Sequence, residues 1–355
     1  MTWKTGKKWI TLGVTLVATA PGWSQFDGTF STLYLMRYPD ARAEAMGRVT
    51  VTQEGGSFAA MYNPALLATL HGLEASFSTS SRYYMLQKGR FTYLGGAFGW
   101  KQKLAIGFGS HTFDTGEPQI LTGPEGPEPL GEFTPKESRL TLSLAAIPWQ
   151  GFHVGVNLNR NVLEVETSTS VLSVDLGVYN SMTLAKSANW RHRITLAASL
   201  LNLTKASLKF ATLTSELPQI LRIGGAYHLT GRGFARNPNV QDLALSLHAE
   251  WQDVLNSSTY SAVRFGGEML LFEFVALRFG YFTQEQSGGE SVNGTTYGLG
   301  FRVPLKRLTS NRFPVEIAFD WTRLTQPGFS DAIFFILEEA SDKFSVVNVR
   351  AAIEL

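Results

Sequence analysis

The residues that could do chemistry are few, and they are scattered. Six histidines, His71, His111, His153, His192, His228 and His248, are the side chains best suited to bind a metal or move protons near neutral pH. None stands in an H-E-x-x-H or other ligand spacing. Gly107-Phe108-Gly109 begins like a dinucleotide fingerprint, but Thr112 stands where the third glycine belongs. No G-x-S-x-G elbow occurs. Cysteine is absent, which excludes a thiolate nucleophile, a disulfide and a thiolate metal site. The expectation is a protein with no catalytic residues, no cofactor and no metal. What is left is charge whose chemistry is ion pairing: Asp175, Arg222, Glu250, Arg264, Glu268, Arg278, Arg302, Glu316 and Asp320.

The elements that must position those charges are strands. In Leu140–Ala146, Leu140, Leu142, Leu144 and Ala146 share one face, against Thr141, Ser143 and Ala145. Leu243–Trp251 and Val315–Trp321 alternate in the same way, with His248, Glu250, Glu316 and Asp320 on the second face. His153 also falls on that face, and both histidines read as polar lumen residues. Fourteen such segments recur, near 73–82, 89–99, 103–112, 137–147, 151–164, 170–180, 191–203, 218–228, 241–252, 260–271, 274–284, 294–303, 313–325 and 343–355. Most run about 10–12 residues, the length a tilted strand needs to cross a bilayer. An even number suits a bacterial barrel, and charge on the second face must then line a lumen. The mixture of signs predicts cross-strand ion pairs in a filled or narrow interior.

Composition agrees. Charged residues make up only 17% of the chain, below the roughly 25% of soluble domains. A net charge of +2 with no basic run argues against nucleic acid as a partner. Lys4, Lys7 and Lys8 precede a short apolar run, Ile10–Ala20, and Gly22-Trp23-Ser24 offers small residues for cleavage before Gln25. Residues 1–24 therefore read as an export signal, with a short membrane anchor as the alternative. The expected organisation is a signal (1–24), an N-terminal plug or hatch with two short helices (25–72) and an outer-membrane barrel (73–355). Long connections at 113–136, 204–217, 285–293 and 326–342 fall on one side and tight ones on the other, as in outer-membrane barrels. The longer connections at 181–190, 229–240 and 304–312 depart from that pattern. Ile120, Leu121 and Leu130, and then Phe329, Phe334 and Phe335, give two of the outer connections apolar contact points for a partner.

Two helices are expected before the first strand. Asp40 is a good N-cap and Gly47 a good left-handed stop for Asp40–Met46. Asn63 caps Asn63–Ala68, with Pro64 at its first position. Both are too short to be stable alone and need the barrel wall. They read as a fixed plug or as a gate.

Pro39-Asp40-Ala41-Arg42-Ala43-Glu44-Ala45-Met46-Gly47, followed by Asn63-Pro64-Ala65-Leu66-Leu67, resembles the start of the PorV/PorQ group within the FadL-like outer-membrane barrels. The segments GEFTPKESRLTLSLA, FHVGVNLNR, VDLGVYN and LPQILRIGGAYHL, and the stretch beginning VRFGGEMLL, are similar to later strands of that group. The family often has a second glycine after Met-Gly, where this chain has Arg48. The resemblance implies a fourteen-stranded barrel with a hatch motif at Asp40, Arg42, Met46, Gly47, Asn63 and Pro64. It also implies a role in type IX secretion, with translocon or sortase components and secreted cargo as partners. FadL-like relatives instead pass hydrophobic small molecules, and that is the alternative expectation.

Overall fold

The computed structural model describes residues 38–80, 89–101, 103–114, 116, 119–122, 129–134, 136–164, 168–209, 214–233, 242–257, 260–285, 291–305, 314–326 and 342–353. The expected signal at 1–24, and Phe329, Phe334 and Phe335, lie outside the described residues.

Fourteen strands close into one antiparallel barrel. In chain order they are β1 (Gly72–Ser80), β2 (Arg90–Trp100), β3 (Leu104–Asp114), β6 (Lys136–Trp149), β7 (Phe152–Glu164), β8 (Ser168–Lys186) and β9 (Trp190–Leu201). They continue with β12 (Ile220–Gly231), β13 (Leu243–Val254), β14 (Ser261–Leu271), β15 (Val275–Glu285), β16 (Ser291–Pro304), β17 (Val315–Gln326) and β18 (Asp342–Ile353). Each of the fourteen alternating segments maps onto one of these strands. Closure is made by β1 on β18, from Leu73 opposite Ile353 to Ser80 opposite Val346. It leaves the barrel without an edge along its wall.

The alternation sorts the side chains as the bilayer demands. Leu140, Leu142, Leu144, Ile106, Phe108, Phe265, Phe279, Phe301 and Phe319 point outward and are exposed, while Thr141, Ser143, Asn157, Asn159 and Asp175 are buried. A one-residue slip would exchange the two sets and put Asp175 in lipid, so the register is tightly specified.

Two of the outer connections carry small hairpins of their own. β4 (Gln119–Thr122) pairs with β5 (Pro129–Phe133), which places the backbone of Ile120, Leu121 and Leu130 in a two-stranded projection. β10 (Ser207–Lys209) pairs with β11 (Thr214–Glu216). At the opposite end, 181–190 is mostly strand, because β8 continues to Lys186. That accounts for its unexpected length.

The N-terminal segment Tyr38–Leu70 lies inside the barrel. α1 (Ala41–Ala45) is a helix of one turn, shorter than the expected Asp40–Met46. The second expected helix, Asn63–Ala68, is a 3-10 helix at Pro64–Thr69, and a further 3-10 turn at Ser57–Met61 was not expected. So few residues gain little from α-helical bonding. Wall contacts set their geometry.

Candidate functional site in the lumen

The caps form as their residue types suggest. Asp40 accepts from the Arg42 amide at 2.9 Å, and Asn63 accepts from the Ala65 amide at 3.1 Å. At the other end of α1, Gly47 is left-handed and the Arg48 amide donates back to the Ala43 carbonyl, the six-to-one bond of a Schellman stop. Arg48 itself is left-handed, with φ of 64°. This is a backbone conformation that glycine adopts at no steric cost. Here the arginine is held by other means: its Nε donates to Glu44 at 3.0 Å and its guanidinium lies 4.4 Å from the Phe282 ring.

The caps also dock the segment on the wall. Gly266 of β14 faces Gly280 of β15 in register, and Gly155 of β7 faces Gly177 of β8. A Cβ on Gly280 would sit 1.9 Å from the Gly47 amide nitrogen, and one on Gly266 would sit 2.4 Å from the Met46 carbonyl. A Cβ on Gly177 would sit 2.0 Å from Asn63 Oδ1, and one on Gly155 would sit 2.4 Å from the Ala65 nitrogen. Each capped turn thus enters a notch made by a cross-strand glycine pair. At Gly155, Gly266 and Gly280 backbone meets backbone, and at Gly177 the Asn63 and Pro64 side chains fill the space, leaving no room for a Cβ.

Between the notches, charge fastens the segment. Glu250 accepts from the Thr50 amide (2.6 Å), the Val51 amide (2.7 Å) and Arg264 (2.7 Å), with Arg222 at 3.9 Å. Glu268 receives Arg42 through two bonds (2.9 and 2.8 Å) and Arg278 at 2.6 Å, with Arg302 at 3.8 Å. Arg278 also meets Asp320 at 2.7 Å, and Arg350 reaches Glu316 at 3.3 Å. Asp175 takes Arg139 and the amides of Asn157 (3.0 Å) and Asn159 (2.8 Å). All nine predicted lumen charges therefore enter ion pairs or hydrogen bonds. Cross-strand pairs form, as between Glu250 and Arg264 and between Glu268 and Arg278, and Glu250 and Glu268 bind the inner segment as well as the wall. Sequence reasoning missed Arg42 as a wall ligand, together with Glu54, Glu74, Arg139, Arg193 and Arg350. The alternation rule places Glu74, Arg139, Arg193 and Arg350 only if each strand's phase is followed residue by residue, and it says nothing of Glu54, which lies in the inner segment.

Asp40 is fully enclosed. It accepts from the Asn348 side-chain amide, and Asn348 Oδ1 accepts from the Ala41 amide at 3.0 Å. Burial first, and the nearby Asp320 charge second, raise its carboxyl above the usual range. Burial likewise pushes the Tyr62 phenol well up.

Two places at the ends of the lumen differ from this middle zone. At the outer mouth, Phe91, Phe113, Leu163 and Val346 of the wall form an apolar cluster with Ala41, Ala206, Leu208 and Leu217. Leu208 belongs to β10, so this hairpin folds inward over the mouth. Asn202 ties it down: its side chain donates to the Leu217 carbonyl and accepts from the Ala206 amide, both at 2.9 Å. At the opposite end, a cavity of about 620 Å³ is lined by Glu54, Ala68, His71, Lys103, Ile147, Trp149, His153, Tyr179 and Arg193, among others. Arg193 and the Tyr179 hydroxyl both donate to Glu54 there. His153 Nδ1 is buried and finds no partner among the described residues. The Met46 sulfur receives the Gln53 side-chain amide at 3.4 Å. No group of three or more histidine, aspartate or glutamate side chains comes together as a metal site among the described residues.

Solved structures share the fold of this closed barrel. The chain is similar to the CymD monoaromatic hydrocarbon channel, with 10% identity, a TM-score of 0.51, and coverage of 92% of this chain and 99% of that one. It is similar to the TodX deltaS2S3 mutant monoaromatic hydrocarbon channel, with 10% identity, a TM-score of 0.51, and coverage of 89% and 98%. A Pseudomonas aeruginosa FadL homologue covers 89% and 98% at 10% identity, with a TM-score of 0.48. No family model and no curated protein sequence matches the chain. The likeness is one of fold.

Proposed function

We propose that this barrel admits hydrophobic small molecules through the outer membrane. The observation that carries the reading is the contrast within the lumen. Below the mouth it is filled by the inner segment, through ion pairs and through apolar packing of that segment on the wall, while at the outer mouth Phe91, Phe113, Leu163 and Val346 of the wall itself stand together under a hairpin. An apolar solute gains about 25 cal/mol for each Å² it hides from water, and this cluster is where such a solute can first do so. The named functions of the similar channels, which carry monoaromatic hydrocarbons, support the same class of solute. The β10–β11 hairpin then serves as a lid and the Tyr38–Leu70 segment as the barrier below it. The test is uptake of radiolabelled toluene by cells with and without the gene. Loss of the gene lowers the initial rate, and replacing Lys205–Glu216 by a short Gly-Ser turn raises it. An unchanged rate on deletion sinks the proposal.

A second reading is favoured by the stretches Pro39–Gly47 and Asn63–Leu67, which resemble PorV/PorQ proteins. In it the barrel serves type IX secretion, with translocon, sortase or cargo proteins docking on its outer connections. Comparison of the secreted proteins of the same two strains separates the readings. A normal set of proteins bearing the C-terminal signal domain excludes the second.

A further inference from the structure

The short-turn end of the barrel, periplasmic in outer-membrane barrels, is not level. β7 begins at Phe152, opposite Asn180 of β8, and the Ser181 amide makes one further bond to the Gly151 carbonyl at 2.9 Å. β8 runs on to Lys186, paired on its other side with β9 down to Arg191. β9, β12 and β13 also extend, with Trp190 opposite Gly231 and Gly231 opposite Leu243. The result is a flange of four strands whose free edge is Met182–Lys186. Nothing among the described residues pairs with that edge, and Met182 and Leu184 are 48% and 59% exposed.

Proteins usually blunt such an edge with proline, an inward charge or a bulge. Here the bulge between Thr183 and Ala185 and the terminal Lys186 leave Met182–Ala185 without a proline or an inward charge. The bulge leaves Leu184 outside the register as an exposed apolar side chain. Successive residues of a strand alternate their backbone groups between its two sides. The Ser181 amide points to the open side, and regular alternation up to the bulge turns the Thr183 backbone the same way. The edge rises from the rim of the 620 Å³ cavity, which Gly151, Ser181, Trp149 and His153 help to line, His153 with its ring on Tyr179 and its Nδ1 without a hydrogen-bond partner among the described residues. The surroundings are cationic: Lys103 lines the cavity, and Lys186, Arg191 and Arg232 belong to the flange. The cavity's one carboxylate, Glu54, is already bonded to Arg193 and Tyr179.

We infer that the β8 edge is a strand-addition site for an acidic, extended segment of a periplasmic protein. A strand laid along Ser181–Lys186 completes the hydrogen bonds that β7 abandons, and its carboxylates meet Lys103, Lys186 and Arg191. An apolar residue of the segment can enter the cavity beside Trp149. Main-chain pairing supplies affinity in this mode, and charge and pocket supply selection. The inference does not depend on what the barrel transports.

The experiment uses the full-length protein in phosphatidylcholine nanodiscs. The probes are two labelled heptapeptides, one alternating Glu with Val and one alternating Lys with Val. The Glu peptide is expected to bind at least about tenfold more tightly than the Lys peptide. It should slow amide exchange within residues 181–186. Thr183→Pro removes an open-side amide at a position where an edge tolerates proline, and should weaken binding about tenfold. Arg191→Glu should weaken it further. Equal affinity for both peptides, or no added protection at 181–186, overturns the inference. So does full protection of 181–186 in nanodiscs containing phosphatidylglycerol without peptide, which would make the flange a lipid contact.

Discussion

At the residue scale, one carboxylate holds the inner segment more than any other. Glu250 is fully buried and receives two backbone amides of the turn at Thr50–Val51 as well as Arg264. Removing it leaves two amides without their acceptor and takes the countercharge from two buried guanidinium groups, for which Gln252 alone still accepts. Breaking a buried pair in this way costs about 3–5 kcal/mol. The cost falls on the docking of the segment, because the wall keeps its ladders. The chain has no cysteine, so a single introduced thiol is a unique label. In a Val51→Cys background, Glu250→Ala should speed maleimide labelling at least about tenfold. Glu250→Gln keeps the acceptor oxygen and should fall between the two. Arg48 makes a different point at this scale. A non-glycine residue held left-handed costs about 1–3 kcal/mol. Its pair with Glu44 and its place on the Phe282 ring offset that.

At the scale of elements, the short helices are defined by what they touch. α1 has five residues, too few to persist without the barrel. Its C-terminal turn sits in the Gly266–Gly280 notch and the Pro64–Thr69 helix starts in the Gly155–Gly177 notch. Gly280→Ala places a methyl group where the Gly47 nitrogen now lies, so α1 must move off the wall. Overpacking of this kind costs about 1–3 kcal/mol, and more where the obstacle is backbone. The expected outcome is a barrel that still shows heat-modifiable migration on gels but has gained a tryptic cut after Arg42 or Arg48. Gly225→Ala is the control. A Cβ there meets only the Leu196 side chain, at 3.3 Å, and the Thr195 carbonyl, at 3.4 Å, and should leave the digestion pattern unchanged.

At the scale of the whole molecule, the barrel and its contents carry out separate tasks. Fourteen closed strands satisfy their own backbone and present an apolar wall to lipid. The Tyr38–Leu70 segment and the β10–β11 hairpin then close what would otherwise be a water-filled lumen. Deleting Asp40–Leu70 should therefore yield a folded barrel that conducts ions in a planar bilayer, with the full-length protein silent under the same conditions. The charges that line the lumen have water as their partner in that variant, so the wall survives the loss.

The sequence by itself determined the wall. A period of two over fourteen segments sets which side chain meets lipid, and lipid tolerates no error of phase. The strand number, the outward phenylalanines and leucines and the inward charges could all be read in advance. The caps were legible for a similar local reason: Asp40, Gly47, Asn63 and Pro64 act on neighbours a few residues away. What only the tertiary structure decided is contact between distant parts of the chain. Gly266 and Gly280 are unremarkable strand residues until a backbone more than two hundred positions earlier arrives between them. Glu250 looks like a partner for neighbouring strands until the Thr50–Val51 turn takes two of its bonds. The β10–β11 lid and the β8 flange depend on where a strand's neighbour stops, which is a property of register around the closed barrel and is absent from any single segment.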